Sequence, residues 1–108
     1  MSGSFEDRRK GFESKWAHDA EMQFKFMARR NKLLGHWAAG ELGLSGDKAD
    51  AYAKAIITAE FEAAGDEGVF RKLRADLDRS KYSDHAIRHH MMDFLELAAE
   101  QVQAESAK

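Results

Sequence analysis

The chain has no cysteine and no proline. Without cysteine there can be no disulfide, no thiolate nucleophile and no zinc site of the usual structural kind. Without proline, regular structure can be broken only at the glycines and at capping residues. No apolar run approaches the roughly 20 residues of a membrane helix. The opening MSGSFEDRRK carries charge with no apolar run behind it, so no secretory leader is expected and the expected setting is intracellular. A strong excess of one charge is missing as well: 17 Lys or Arg stand against 19 Asp or Glu, a net charge of −2. Global charge therefore gives no reason to expect nucleic acid as a partner.

What is present is helical pattern. The 108 residues are 44% hydrophobic and 33% charged, which fits one domain with a single modest core under a heavily solvated exterior. Charge is uneven along the chain. Residues 1–40 hold eight basic against five acidic groups and the remainder nine against fourteen, so the front is basic and the back acidic. A first helix is expected from about Glu13 to Glu41. Its main apolar stripe is Trp16, Ala20, Phe24, Met27, Asn31, Leu34 and Ala38, and Met22, Phe26, Leu33 and Trp37 form a second stripe that widens the buried face. Gly43 suits a left-handed residue after it.

A second helix should follow Ser45 or Gly46, with Tyr52, Ile56, Ala59 and Ala63 inward and Gly65 closing it. A short third helix carries Val69, Phe70, Leu73 and Leu77 on one face; Gly68 weakens its first turn. Ser83 reads as the N-cap of a fourth, whose stripe is Ile87, Met91, Phe94, Leu95, Ala98 and Val102. No useful stretch alternates with period two, so strands are not expected. The expected fold is all-α: an antiparallel four-helix bundle with a flexible N-terminal arm. Residues 1–15 form the arm, disordered when free, residues 16–104 the bundle, and 105–108 a polar tail.

Chemistry-bearing constellations are sparse. His85, His89 and Asp93 share one helix face at steps of four, but there is no fourth ligand and no His-Glu-x-x-His pattern, so a solvated face is the better reading than a metal site. His89-His90 reads as a polar flank, and His18 and His36 as helix-surface or partner contacts. GELGLSG lacks the lysine and preceding strand of a phosphate loop. Asp76 and Asp78, two apart on a helix, face different ways and make a poor acid–base pair. Nothing assembles a nucleophile, a base and an oxyanion site, so an enzyme is not expected. ARRNK, ending in Arg29, Arg30, Asn31 and Lys32, is the best nucleic-acid candidate, yet the cluster is brief and its helix also carries Asp19 and Glu21. It reads as a solvated face.

One segment is left over. Phe5, Phe12 and Trp16 follow steps of seven and four, which puts them on one helical face flanked by Arg8, Arg9 or Lys15. Such a segment cannot hold itself as an isolated helix: it is short, and Gly11 costs about 1 kcal/mol relative to alanine. It can order in a groove on a partner, with the aromatics as anchors, at an ordering cost on the order of 2–5 kcal/mol. The plain alternative is a frayed terminus.

AHDAEMQFKFMARRNKLLGHWAAGELGLSG, followed by ADAYAKAIITAEFEAAGDEGV, resembles the zeta subunit of alphaproteobacterial ATP synthase, a family of ATPase inhibitors. The resemblance runs from Phe5 to at least Met91 and implies a four-helix bundle. It also implies that the N-terminal region inserts as a helix at a catalytic alpha/beta interface of the ATP synthase head, reaches the central shaft and blocks rotation in the hydrolysis direction. The matching residues are Phe5, Arg8, Phe12, Glu13, Lys15, Ala17, His18 and Asp19; Arg9 and Trp16 join them from the spacing argument. The implied partners are the alpha, beta and central-shaft subunits, at the cytoplasmic face of the inner membrane, with no nucleic acid, no membrane insertion and no metal. No cofactor is required. The chief alternative, also by resemblance, is a small helical regulatory module that binds an adenine nucleotide, although no motif fixes a site for one. A monomer is the default.

Overall fold

A computed structural model describes residues 19–62 and 65–106. The expectations placed on residues 1–18 lie outside the described residues. Four helices make up the described chain: α1 (Ala20–Glu41), α2 (Gly46–Glu62), α3 (Asp66–Asp76) and α4 (Asp84–Ser106). Among the described residues there is no strand, and no helix is long and apolar enough to cross a membrane. The protein is an all-α four-helix bundle.

Capping chemistry sets most of the boundaries. Asp19 is the N-cap of α1: its backbone is extended (φ −110, ψ 90) and its side chain accepts a hydrogen bond from the Met22 amide at 3.0 Å. α1 thus begins at Ala20, and the single continuous helix expected from Glu13 to Glu41 is interrupted at Asp19, because the carboxylate satisfies an amide that a continuing helix would have bonded to a carbonyl. At the other end Gly43 takes φ +77. The Leu44 amide donates to the Ala39 carbonyl (2.8 Å) and the Gly43 amide to that of Gly40 (3.1 Å), a complete Schellman termination. Ser83 caps α4 as expected, its hydroxyl accepting from the Ala86 amide at 3.0 Å.

Neighbouring helices run antiparallel. Asn31 and Gly35 of α1 meet Glu60 and Ala53 of α2. Tyr52 of α2 meets Asp76 of α3, and Glu67 and Arg74 at the two ends of α3 meet Arg88 and Asp84 of α4. The ring closes where Trp37 of α1 packs against His90, and Arg29 against Gln101, of α4. Inside lies one main core of Leu34, Ala38, Ile56, Val69, Phe70, Leu73, Leu77, Ile87 and Met91, edged by Trp37, Tyr52, Tyr82 and Phe94. A second, smaller core joins Phe26 to Ala99 and Val102.

The expected stripe of α1 holds from Asn31 onward and fails before it. Phe24 is 64% exposed, whereas Phe26 is fully buried. Phe26 faces α4, where it packs on Ala99 and Val102, whereas Phe24 borders a gap between α1 and the last turns of α2, beside Ile57 and Phe61.

Candidate functional site

Of the ten residues assigned to partner binding, Phe5, Arg8, Arg9, Phe12, Glu13, Lys15, Trp16, Ala17 and His18 lie outside the described residues. Asp19 is described, and it holds the joint between that segment and the bundle. Its side chain caps α1, and its carbonyl accepts the first helical bond, from Gln23 at 3.0 Å.

Just inside the joint the helix carries the ARRNK cluster, and here the structure corrects the reading of a solvated face. Arg29 is turned toward α4, where Nη1 donates to Gln101 (2.8 Å) and Nη2 to Glu105 (2.7 Å). The Glu105 bond is the main reason that its pKa is raised. Arg30 is only 1% exposed. Its Nε donates to Asn31 Oδ1 at 2.9 Å, and its Nη2 lies 2.9 Å from Asp66 Oδ1 in a charge contact rather than a directed hydrogen bond. Asn31, fully buried, passes a hydrogen bond on to Glu60 at 2.7 Å. Asp66, Arg30, Asn31 and Glu60 therefore form one polar chain that ties the end of α2 and the start of α3 to α1. Only Lys32 of the cluster's cations is left exposed. Reading three basic groups in four residues as solvent-facing missed this. The available signal was Asn31, a polar residue inside an otherwise apolar stripe, which needs buried partners.

Several other titratable groups make contacts within the bundle. His90, read as a polar flank, stacks on Trp37 with ring centroids 4.2 Å apart, and Tyr82 meets the same tryptophan edge-on. His89 Nδ1 lies 3.4 Å from Asp93, and the His85 ring is 6.1 Å from that of His89. Among the described residues no group of three or more His, Asp or Glu could hold a metal ion. His36 lies 3.4 Å from Asp50. Asp76 accepts from the Tyr52 hydroxyl at 2.8 Å, whereas Asp78 accepts from the hydroxyl and amide of Ser80, so the two carboxylates have separate partners. Burial and then the bond to Asp76 raise the Tyr52 pKa. Tyr82 is raised by its hydrogen bond to Glu41, which in turn is lowered by it. A cleft beside Arg30, Asp66, Arg88 and Met91 has ≈ 230 Å³ of space, but each guanidinium there already faces a carboxylate, Arg30 with Asp66 and Arg88 with Glu67.

The described residues thus define a small helical bundle in which the buried polar side chains Arg30 and Asn31 link one helix to the next. A model of the family described as ATPase inhibitor subunit zeta matches residues 1–101. The chain belongs to that family, whose description is of an inhibitory subunit and not of a catalyst. A chain solved by solution NMR is 46% identical, with a TM-score of 0.68, over 78% of this chain and 98% of that one. No curated protein matches.

Proposed function

We propose that the chain inhibits ATP hydrolysis by ATP synthase through its N-terminal segment. Phe5, Phe12 and Trp16 anchor in the catalytic alpha/beta interface, Arg8, Arg9 and Lys15 flank them, and the ordered segment obstructs the central shaft mechanically. The bundle remains outside and carries the segment. The inhibitor works at the cytoplasmic face of the membrane and needs no cofactor.

One observation carries the division of labour: every buried core residue of the described bundle lies between Phe26 and Val102. The reading takes Phe5, Phe12 and Trp16, large apolar side chains at helical spacing, as the anchors offered to another protein. The family match, which begins at residue 1, is consistent with an inhibitory role for that end.

The test is ATP hydrolysis by an alphaproteobacterial ATP synthase head stripped of its own inhibitor. The full chain should inhibit. Full-length Phe5→Ala/Phe12→Ala should not, with its helical circular-dichroism spectrum unchanged. Inhibition by that variant would move the active surface onto the bundle. Saturable amide shifts on the bundle during an ATP or ADP titration would favour the nucleotide-binding alternative.

A further inference from the structure

An apolar groove lies between the first half of α1 and the last turns of α2. Phe24, Met27 and Ala28 form one wall, Ile57 and Phe61 the other, and Ala20 stands at its mouth, with ≈ 580 Å³ of space between them. Phe24 and Phe61 are 64% and 72% exposed, more than any other large apolar side chain among the described residues. Single exposed apolar residues need no explanation, but two lining one concave apolar surface do.

We propose that residues 1–18 fold back into this groove in the free protein, seating Trp16 and Phe12 against Phe24, Met27, Ile57 and Phe61, and that this docked state competes with docking on the catalytic head. The competition rests on the inhibitory reading above; the docking itself does not.

Three features of the chain favour its own segment as the occupant. The first is attachment. The segment joins at Asp19, the residue before Ala20 at the groove mouth. The second is reach. Trp16 and Phe12 precede Ala20 by four and eight residues, and at up to about 3.5 Å per residue they reach roughly 14 and 28 Å. The α1 wall from Ala20 to Asn31 is about 16 Å long. The third is complementarity. Two aromatics four residues apart match apolar walls, and residues 1–18, with four basic side chains against three acidic ones, carry a slight positive excess that suits an α2 end with Glu60 and Glu62. A short tether also supplies an effective concentration on the order of 1 mM, so an intrinsic affinity as weak as about 1 mM half-fills the groove.

Docking would sequester the anchors that the inhibitory reading assigns to the head. Only the released fraction can bind there, and the apparent inhibition constant rises by the inverse of that fraction. A chain docked nine-tenths of the time would inhibit about tenfold more weakly than one held open.

Full-length protein labelled at Met and Ile methyls tests this directly. Nuclear Overhauser contacts are expected from Met27 and Ile57 to the Trp16 indole, and both methyl signals should shift in Phe12→Ser/Trp16→Ser. Phe61→Glu, at an exposed helical position that tolerates a charge, should remove those contacts without altering the fold. It should also inhibit hydrolysis at about two- to tenfold lower concentration. Absent contacts together with unmoved methyls overturn the proposal. Contacts found only between differently labelled chains also overturn it, because they place a second copy in the groove. Weaker inhibition by Phe61→Glu overturns the competition and assigns the groove to the bound state. Contacts as expected, with no inhibition by either the wild-type chain or Phe61→Glu, leave the docking standing and remove the inhibitory reading.

Discussion

Gly35 of α1 lies so close to α2 that a Cβ on it would stand 2.6 Å from the Ala53 Cα and 3.0 Å from the Ala53 Cβ. The nearest obstacle is backbone, which cannot rotate away as a side chain can. Gly35→Ala gains helix propensity of about 1 kcal/mol, but forces apart two helices whose packing buries Leu34, Ala38 and Ile56. Overpacking costs typically about 1–3 kcal/mol, so a net loss of up to about 2 kcal/mol is expected. Gly40→Ala is the contrast, because nothing lies within 4 Å of its Cβ position. There the same substitution should stabilise by about 0.5–1 kcal/mol. Urea midpoints should move in opposite directions; a gain at both positions would mean that the helices are not held at this distance.

The pair Arg30 and Asp66 should be asymmetric to mutation. Arg30 has 1% of its side chain exposed and Asp66 has 55%. Removing the carboxylate leaves a buried charge with only the Asn31 amide oxygen, whereas removing the guanidinium leaves a carboxylate in water and one neutral acceptor, Asn31 Oδ1, without its donor. Asp66→Ala is expected to cost on the order of 2 kcal/mol, part of it the lost acid at the start of α3. Arg30→Met, of similar volume, should cost less. Denaturant unfolding of the two variants decides the order, and the reverse order would mean that the contact does not bear on the burial of Arg30.

These two sites also mark where sequence reasoning succeeded and stopped. Gly43, Ser83 and the inward faces of α3 and α4 were legible because capping and periodicity are local properties. The face of α1 was legible only from Asn31 onward. Whether Phe24 or Phe26 turns inward depends on how α2 and α4 pass beside α1, and no local pattern in α1 encodes that. Arg30 was hidden for the same reason, since its carboxylate comes from another helix. Ala53 was absent from the expected stripe because the signal for its burial is Gly35, on the opposite helix. Of the candidate site, spacing and resemblance picked out a segment outside the described residues, while Asp19, assigned to the partner by resemblance, also has a role within the chain.

Both tyrosines of the chain should titrate late. The pKa of Tyr52 is raised by burial and by its bond to Asp76, that of Tyr82 by its bond to Glu41. An unfolded phenol ionises near pH 10. Above that pH the unfolded chain loses protons that the folded chain keeps, so stability falls as pH rises; below it the contribution is fully present. On the acid side, Glu41 and Asp78 are lowered by their hydrogen bonds to Tyr82 and Ser80. Their contribution holds above the ordinary carboxylate range near pH 4 and is lost as pH falls through the depressed values. Phenolate absorbance should therefore appear at higher pH in the native protein than in urea, and Tyr52→Phe should flatten the alkaline limb of stability against pH. Native phenols titrating at the unfolded value would contradict both hydrogen bonds.

Asp19 combines two assignments that a pair of substitutions can separate. As an N-cap it offers Oδ1 to the Met22 amide at 3.0 Å; as a member of the inhibitory segment it would offer charge to the catalytic head. Asp19→Ser keeps a capping oxygen and removes the charge, whereas Asp19→Ala removes both. Loss of the cap costs about 1 kcal/mol and should show as faster hydrogen exchange of the Met22 amide, with exchange in α4 unchanged. If the aspartate serves as the joint that fixes where α1 begins, and hence where the segment leaves the bundle, Asp19→Ser should inhibit ATP hydrolysis like the parent chain and Asp19→Ala more weakly. That is the expected result, because an exposed single charge is worth little once screened, while a displaced helix start redirects the whole segment. Equal weakening by the two variants, with Met22 protection preserved in Asp19→Ser, would instead make the carboxylate itself a contact of the head.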